Sequence, residues 1–145
     1  MNLLDNFIEL RNYGKKILVI LISLVALVTV GYFLTLSVGK PIGTDLSVIG
    51  QGKPAIVLAY ENHSPTGGEA LNRLRKIRSD YDSRLSFVVD DLGTPQGRQF
   101  AGNYSLLDGQ AVFLTGDGTP LEVTNIAENE SELRGSLDAM LAAVQ

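Results

Sequence analysis

Residues 17–38 read ILVILISLVALVTVGYFLTLSV, with no charged residue. No other stretch constrains the chain so strongly. A bilayer core of about 30 Å is crossed by roughly 20 helical residues rising about 1.5 Å each. The run is long enough to span. A helix buried in a soluble core would show a polar face over that length, and this one shows none. A cleaved export signal has an apolar region of about 7–15 residues with small residues before the cut. Ser37, Val38 and Gly39 would suit such a cut, but the run is too long, so it reads as an uncleaved anchor.

Flanking positive charge sets orientation. Arg11, Lys15 and Lys16 precede the run and only Lys40 follows closely. The N-terminus is therefore expected in the cytoplasm and the remainder exported, periplasmic or extracellular, with a bacterial inner membrane as the setting. Ser23, Ala26, Thr29, Gly31 and Thr35 are small residues through which another helix would approach closely. Ahead of the run, Leu3, Leu4, Phe7, Ile8 and Leu10 recur at helical spacing. They predict an amphipathic cytoplasmic segment over residues 1–14, lying in the interface or docked on a partner. Gly14 would allow a bend between two helices. The expected organisation is thus 1–14, a transmembrane helix over 15–39, a linker over 40–45 and one domain over 46–145.

The chain has no cysteine. An exported domain without disulfides must stand on its hydrophobic core, and every thiol reaction is removed from its repertoire. Beyond Gly39 there are nine Lys and Arg against fourteen Asp and Glu. That acidic balance argues against a nucleic-acid partner, which would want a basic surface.

Strands and helices alternate along the exported part. Residues 55–60 (AIVLAY) form a continuous apolar run suited to a central strand buried on both faces. In residues 69–81, Ala70, Leu71, Leu74, Ile77 and Tyr81 share one helical face, and Arg73, Arg75, Lys76 and Arg78 lie mostly opposite, as a solvated face. Residues 85–89 read as a strand, 95–104 as a short helix, and 111–114 with 121–123 as a hairpin around TGDGTP. A last helix starts near Ser131, capped by Asn129 or Ser131, with Leu133, Leu137, Met140, Leu141 and Val144 as its apolar stripe. The order β-α-β-α-β-β-α predicts an α/β fold: a small mixed sheet with helices on both sides, built from two parallel βαβ crossovers and a hairpin.

This order and several local sequences resemble the thioredoxin family over residues 46–141. GKPAIVLAY is similar to the family's central strand, ENHSPT occupies the place of its active-site turn, and AVFLTGDGTPLE is similar to its terminal hairpin. Two departures stand out. Where the family carries Cys-X-X-Cys, this chain has His63, Ser64, Pro65 and Thr66, and where the family has a cis-proline facing that motif, this chain has Gln110. A cis bond before a non-proline residue costs about 2.5–4 kcal/mol, so an ordinary trans peptide is expected.

The resemblance therefore implies a fold without its chemistry. His63 is the single histidine, with no evident third residue to orient it as a base for Ser64 and too few ligand types around it for a metal. Ser64 or Thr66 reads more simply as the cap of the long helix, with Pro65 in its first turn. Asp90, Asp91, Asp108 and Asp117 lack calcium-loop spacing and read as solvated turn acids. The expectation is a redox-inactive binding protein with no cofactor, no metal and no small-molecule ligand. Its partners would be the lipid bilayer and other membrane-protein subunits, with the chain serving as an accessory or stabilising subunit. A second reading is a holdase or assembly factor engaging exported clients through His63 to Thr66 and Gln110. A third is a glutathione-dependent enzyme using the Ser64 hydroxyl.

Overall fold

The structure, a computed structural model, describes the backbone of residues 3–37 and 41–144 and the side chains of residues 13–32 and 41–144. The chain falls into two units, Met1–Val38 and Gly39–Gln145. The side chains of the amphipathic stretch before Tyr13, and that of Thr35, lie outside the described residues.

The first unit is one helix, α1 (Leu3–Ser37). It runs unbroken through Gly14, a position that would allow a bend. A lone glycine costs only about 1 kcal/mol against alanine inside a helix, and no proline or cap interrupts the run. Its segment Tyr13–Tyr32 has a mean hydropathy of 2.1 and is long and apolar enough to cross a membrane.

The second unit holds β1 (Ala55–Tyr60), α2 (Pro65–Tyr81), β2 (Ser86–Asp91), α3 (Pro95–Tyr104), β3 (Gln110–Leu114), β4 (Pro120–Asn125) and α4 (Glu130–Ala143), preceded by a single 3-10 turn over Leu46–Val48. The four strands form one mixed sheet in the order β2-β1-β3-β4. β1 pairs parallel with β2 and antiparallel with β3, and β3 pairs antiparallel with β4. The second of the two parallel crossovers expected from sequence is therefore absent. After α3 and the loop 105–109, β3 begins beside the ends of β1 and β2, with Ala111 opposite Leu58 and Leu114 opposite Ala55, and so runs the other way.

β1 is central and inaccessible on both faces. Ile56 and Leu58 point into one core with Leu74 and Ile77 of α2, Phe113 of β3 and Leu137 of α4. Val57 and Ala59 point into the other with Ala101 of α3, Leu106, Val112 and Leu114. Each large apolar side chain buried in this way contributes roughly 1.5–3 kcal/mol. The apolar face expected of α2 is the buried one: Ala70, Leu71, Leu74, Ile77 and Tyr81, with Gly67 added at its start. In α4, Leu133, Leu137 and Leu141 are buried and the Asn129 side chain caps the helix by accepting from the Ser131 amide.

Residues 41–43, within the expected linker, pack against the sheet. Ile42 is buried, Gly43 bridges to Val88 in parallel, and the Gly43 carbonyl accepts the Val89 amide at 2.9 Å. Arg78 Nη1 donates to the Pro41 carbonyl at 2.7 Å. β2 is an edge strand with open backbone groups, and this short segment covers part of that edge.

Candidate functional site

The turn between β1 and α2 is placed by the sheet. β1 delivers it at the end of the central strand, and Pro65 starts α2 with its φ already helical and no N–H to satisfy. The loop that leads into β3 lies against it: a Cβ at Gly109 would stand 2.7 Å from Thr66 Cγ2, and Gly109 has φ +81°. The positive φ favours glycine at that position, and a larger residue would also have to displace the Thr66 methyl.

His63 sits at φ +72°, in the left-handed region, and is exposed. Ser64 holds the N-cap position, but its hydroxyl makes no cap bond to the helix. Instead Ser64 Oγ donates to Asp108 Oδ2 at 2.5 Å. The same Oδ2 accepts the Gly67 amide at 2.9 Å, and Asp108 Oδ1 accepts the Glu61 amide at 2.7 Å. The cap of α2 thus comes from another loop, 41 residues along the chain from the amide it satisfies. A carboxylate suits the place, because the positive end of the helix dipole and the free amides both favour an anion. Gly67 makes room for it: a Cβ there would meet Asp108 Oδ1 at 2.1 Å.

Gln110, at the position of the family's cis-proline, does not turn toward Ser64. Its Oε1 accepts the Leu107 amide at 3.1 Å and its own amide donates to the Leu107 carbonyl at 2.9 Å, so it closes its own loop. No cis peptide bond occurs among the described residues. Pro65 and Thr66 are exposed on the first turn of α2. Of the residues named from the sequence, the fold gathers His63, Ser64, Pro65 and Thr66 at one turn, with the Gln110 loop facing it. The residue that ties the two sides together is Asp108, which sequence reasoning grouped with solvated turn acids. Its one local signal is the Asp-Gly pair just before an apolar strand; nothing local says what the carboxylate reaches.

A second acid departs from that expectation. Asp90, at the end of β2, is 1% exposed, and neither carboxylate oxygen has a hydrogen-bond partner. Burial, with the Asp91 charge as a smaller cause, pushes its carboxyl up to about 6. Asp117 does behave as a turn acid: it accepts from Thr115 and Thr119, and these bonds hold its carboxyl below the ordinary range. Among the described residues no three His, Cys, Asp or Glu side chains come together as metal ligands.

In α1, the hydroxyls of Ser23 and Thr29 are engaged by their own helix. Ser23 Oγ donates to the Val19 carbonyl at 2.9 Å, and Thr29 Oγ1 reaches the carbonyls of Val25 and Ala26, each at 2.9 Å. Ala26 is exposed, and a Cβ at Gly31 would meet nothing within 4 Å.

The four-stranded sheet, the order of elements and the turn before the long helix define a thioredoxin-like fold. No protein-family model matches the sequence, and no curated protein sequence matches it. Solved structures do match in three dimensions. An uncharacterized thioredoxin-like protein from Clostridium perfringens superposes with a TM-score of 0.60 at 16% identity, covering 70% of this chain and 82% of its own. A thioredoxin of Fasciola hepatica gives 0.52 at 17% identity, covering 63% of this chain and 84% of its own. Likeness at this identity establishes the fold and leaves function to the site. With no cysteine in the chain, that site has no residues for dithiol exchange.

Proposed function

We propose that this chain is a membrane-anchored, redox-inactive thioredoxin-like protein that acts by binding other proteins, as an accessory or stabilising subunit of a membrane protein assembly. The observation that carries the reading is the Asp108 carboxylate at the start of α2. In a reactive turn the helix N-terminus is left for an incoming anion or a thiolate. Here the protein's own carboxylate takes the Gly67 and Glu61 amides and the Ser64 proton. The turn is a structural joint, and the surfaces left for function are those that bind.

The same carboxylate weighs against both other readings. A glutathione-dependent enzyme would need the Ser64 hydroxyl to donate to the cofactor's thiolate, and that proton is directed at Asp108. A holdase would need an apolar groove at the turn, and the junction there is polar and internally bonded. The apolar stretch of α1 supports the anchor, and the basic residues before it support a cytoplasmic N-terminus and an exported domain; a bacterial inner membrane is the setting proposed.

Crosslinking in native membranes followed by mass spectrometry tests this. The expected result is one recurrent set of membrane-protein neighbours, crosslinked to both the α1 side and the domain, that copurifies at fixed stoichiometry in mild detergent. A monodisperse monomer with no recurrent neighbour would overturn it.

A further inference from the structure

Asp90 stands where two pieces of backbone meet. It lines a crevice of about 160 Å³ together with Thr44, Leu46, Asp91, Thr94 and Gln96. One wall is the segment that leads from the anchor into the domain, and the other is the first turn of α3. The segment is held to β2 by the Gly43 carbonyl accepting the amide of Val89, the residue directly before Asp90. The crevice is tight on the α3 side, where a Cβ at Gly97 would stand 2.8 Å from Asp90 Oδ1 and 2.0 Å from the Asp91 carbonyl oxygen.

Among the described residues, no cation faces the carboxylate as a partner. On its own strand the neighbour is Asp91, whose Oδ1 accepts the Gly93 amide at 2.8 Å. From α3 the charged residue is Arg98, and its Nη1 is bound to the carbonyls of Leu92 and Gly93 at 3.1 and 3.0 Å. From the entering segment it is Asp45, whose carboxylate has turned onto the Ser47 amide at 2.9 Å. The dipole of α3 gives some relief to a negative charge, but the carboxylate accepts none of that helix's amides, since Thr94 Oγ1 caps Gly97 instead. A buried ionised carboxylate without partners is costly, and the ordinary remedy is to take up a proton or to admit water.

We propose that Asp90 is a proton-binding site that works as a pH-dependent latch on the segment joining the membrane helix to the domain. Protonated, Asp90 allows residues 42–46 to close over the edge of β2. Ionised, with its proton released to bulk water, it draws water into the crevice and loosens the Gly43–Val89 clasp. The direction follows from the carboxyl standing at about 6 in the closed form against an ordinary 3.8. A raised value means that the closed form holds the proton more tightly. Its advantage is complete at pH well below 4 and is lost as pH rises through about 6.

Amide hydrogen exchange of the full chain in nanodiscs, corrected for intrinsic rates and followed from pH 5 to pH 8, reads the clasp at the Val89 amide. Expected is a roughly tenfold loss of protection between pH 5 and pH 8, nearly all of it complete by about pH 6.5, because about one unit of the shift is still in play at pH 5. Asp90→Asn should keep Val89 protected throughout. Asp91→Asn, which removes only the like charge, should move the midpoint down, and it carries the test should Asp90→Asn fold poorly. A flat Val89 profile in the wild type would overturn the latch. So would Val89 protection equal to that of the β3 amides at every pH, because then only unfolding of the whole fold, and not opening of the segment, would expose it.

Discussion

α2 and α3 begin alike and are finished differently. One starts Ser64-Pro65-Thr66-Gly67 and the other Thr94-Pro95-Gln96-Gly97. Each has a hydroxyl residue at the N-cap, proline in the first turn, and a buried glycine three residues on with a carboxylate close above it. At α3 the threonine is the cap: its Oγ1 accepts the Gly97 amide at 3.0 Å, and the nearby Asp90 is left with no partner. At α2 the serine is a donor: its proton goes to Asp108, and Asp108 accepts the Gly67 amide. Equivalent starts thus yield one satisfied carboxylate that ties two loops together and one orphan that makes its surroundings sensitive to protons. The difference lies in where each acid enters. Asp108 arrives from a loop and presents both oxygens to free donors. Asp90 arrives from the end of a strand, next to a helix start that has already capped itself.

The largest effect should come from removing the satisfied acid. Asp108→Ala leaves the Glu61 and Gly67 amides and the Ser64 hydroxyl without their acceptor. Charge-assisted bonds of this kind contribute about 1.5–3 kcal/mol each, with strong overlap among neighbours. A loss of about 3 kcal/mol is expected, measured as the shift in urea midpoint of the full chain in detergent, followed by near-ultraviolet circular dichroism. Asp108→Asn should recover part of it, since the amide oxygen still accepts. A loss below about 0.5 kcal/mol for Asp108→Ala, the scale of an ordinary surface substitution, would break the contrast.

Next in size is the opposite sign at the other helix. Asp90→Asn should stabilise the protein at pH 7.5 by about 2 kcal/mol, because the carboxyl raised to about 6 disfavours folding above that pH. The gain should shrink as pH falls below 6, be small at 4 and vanish well below 4, where wild-type Asp90 is itself neutral in both states. Urea titrations at pH 4, 6 and 7.5 read this directly. Equal gains at all three would mean that charge is not the cause.

Thr94→Ala tests the self-capped helix. Losing an N-cap oxygen costs about 1 kcal/mol, and the same assay should show it. The loss at Thr94 should stay well below that at Asp108, since one amide is orphaned instead of two amides and a hydroxyl.

Much of the fold was legible from local pattern. The apolar run AIVLAY, the stripe of α2 and the spacing of Leu133, Leu137 and Leu141 each describe burial on one element, and burial follows periodicity. What was illegible depends on pairs far apart in sequence. The antiparallel course of β3 follows from where α3 leaves the chain, which no residue in β3 records. Asp108 and Asp117 look the same as loop acids, and Asp90 and Asp91 look the same as strand-end acids. Only the packing around each decides that Asp108 caps a distant helix, Asp117 caps its own turn and Asp90 is sealed in. At the candidate turn the cap was expected from Ser64 or Thr66, whereas the Gly67 amide is taken by Asp108, an acid that local sequence groups with solvated turn residues.

The smallest expected effect concerns the residue just before each cap. At α3 it is Gly93, which has no positive φ; at α2 it is His63, held at φ +72°. A non-glycine residue in the left-handed region stores about 1 kcal/mol of strain, somewhat less for histidine, which visits that region more readily than most. Asp108 fixes the strain by gripping the turn on both sides, through the Glu61 amide and the Ser64 hydroxyl. His63→Gly removes the strain but adds freedom to the unfolded chain, and the two nearly offset. A net gain of about 0.5 kcal/mol is expected in the urea assay. In an Asp108→Ala background the turn is free to relax, so the gain from glycine should disappear. If it persists at full size there, the strain at His63 is set by the β1–α2 connection alone and Asp108 does not hold it.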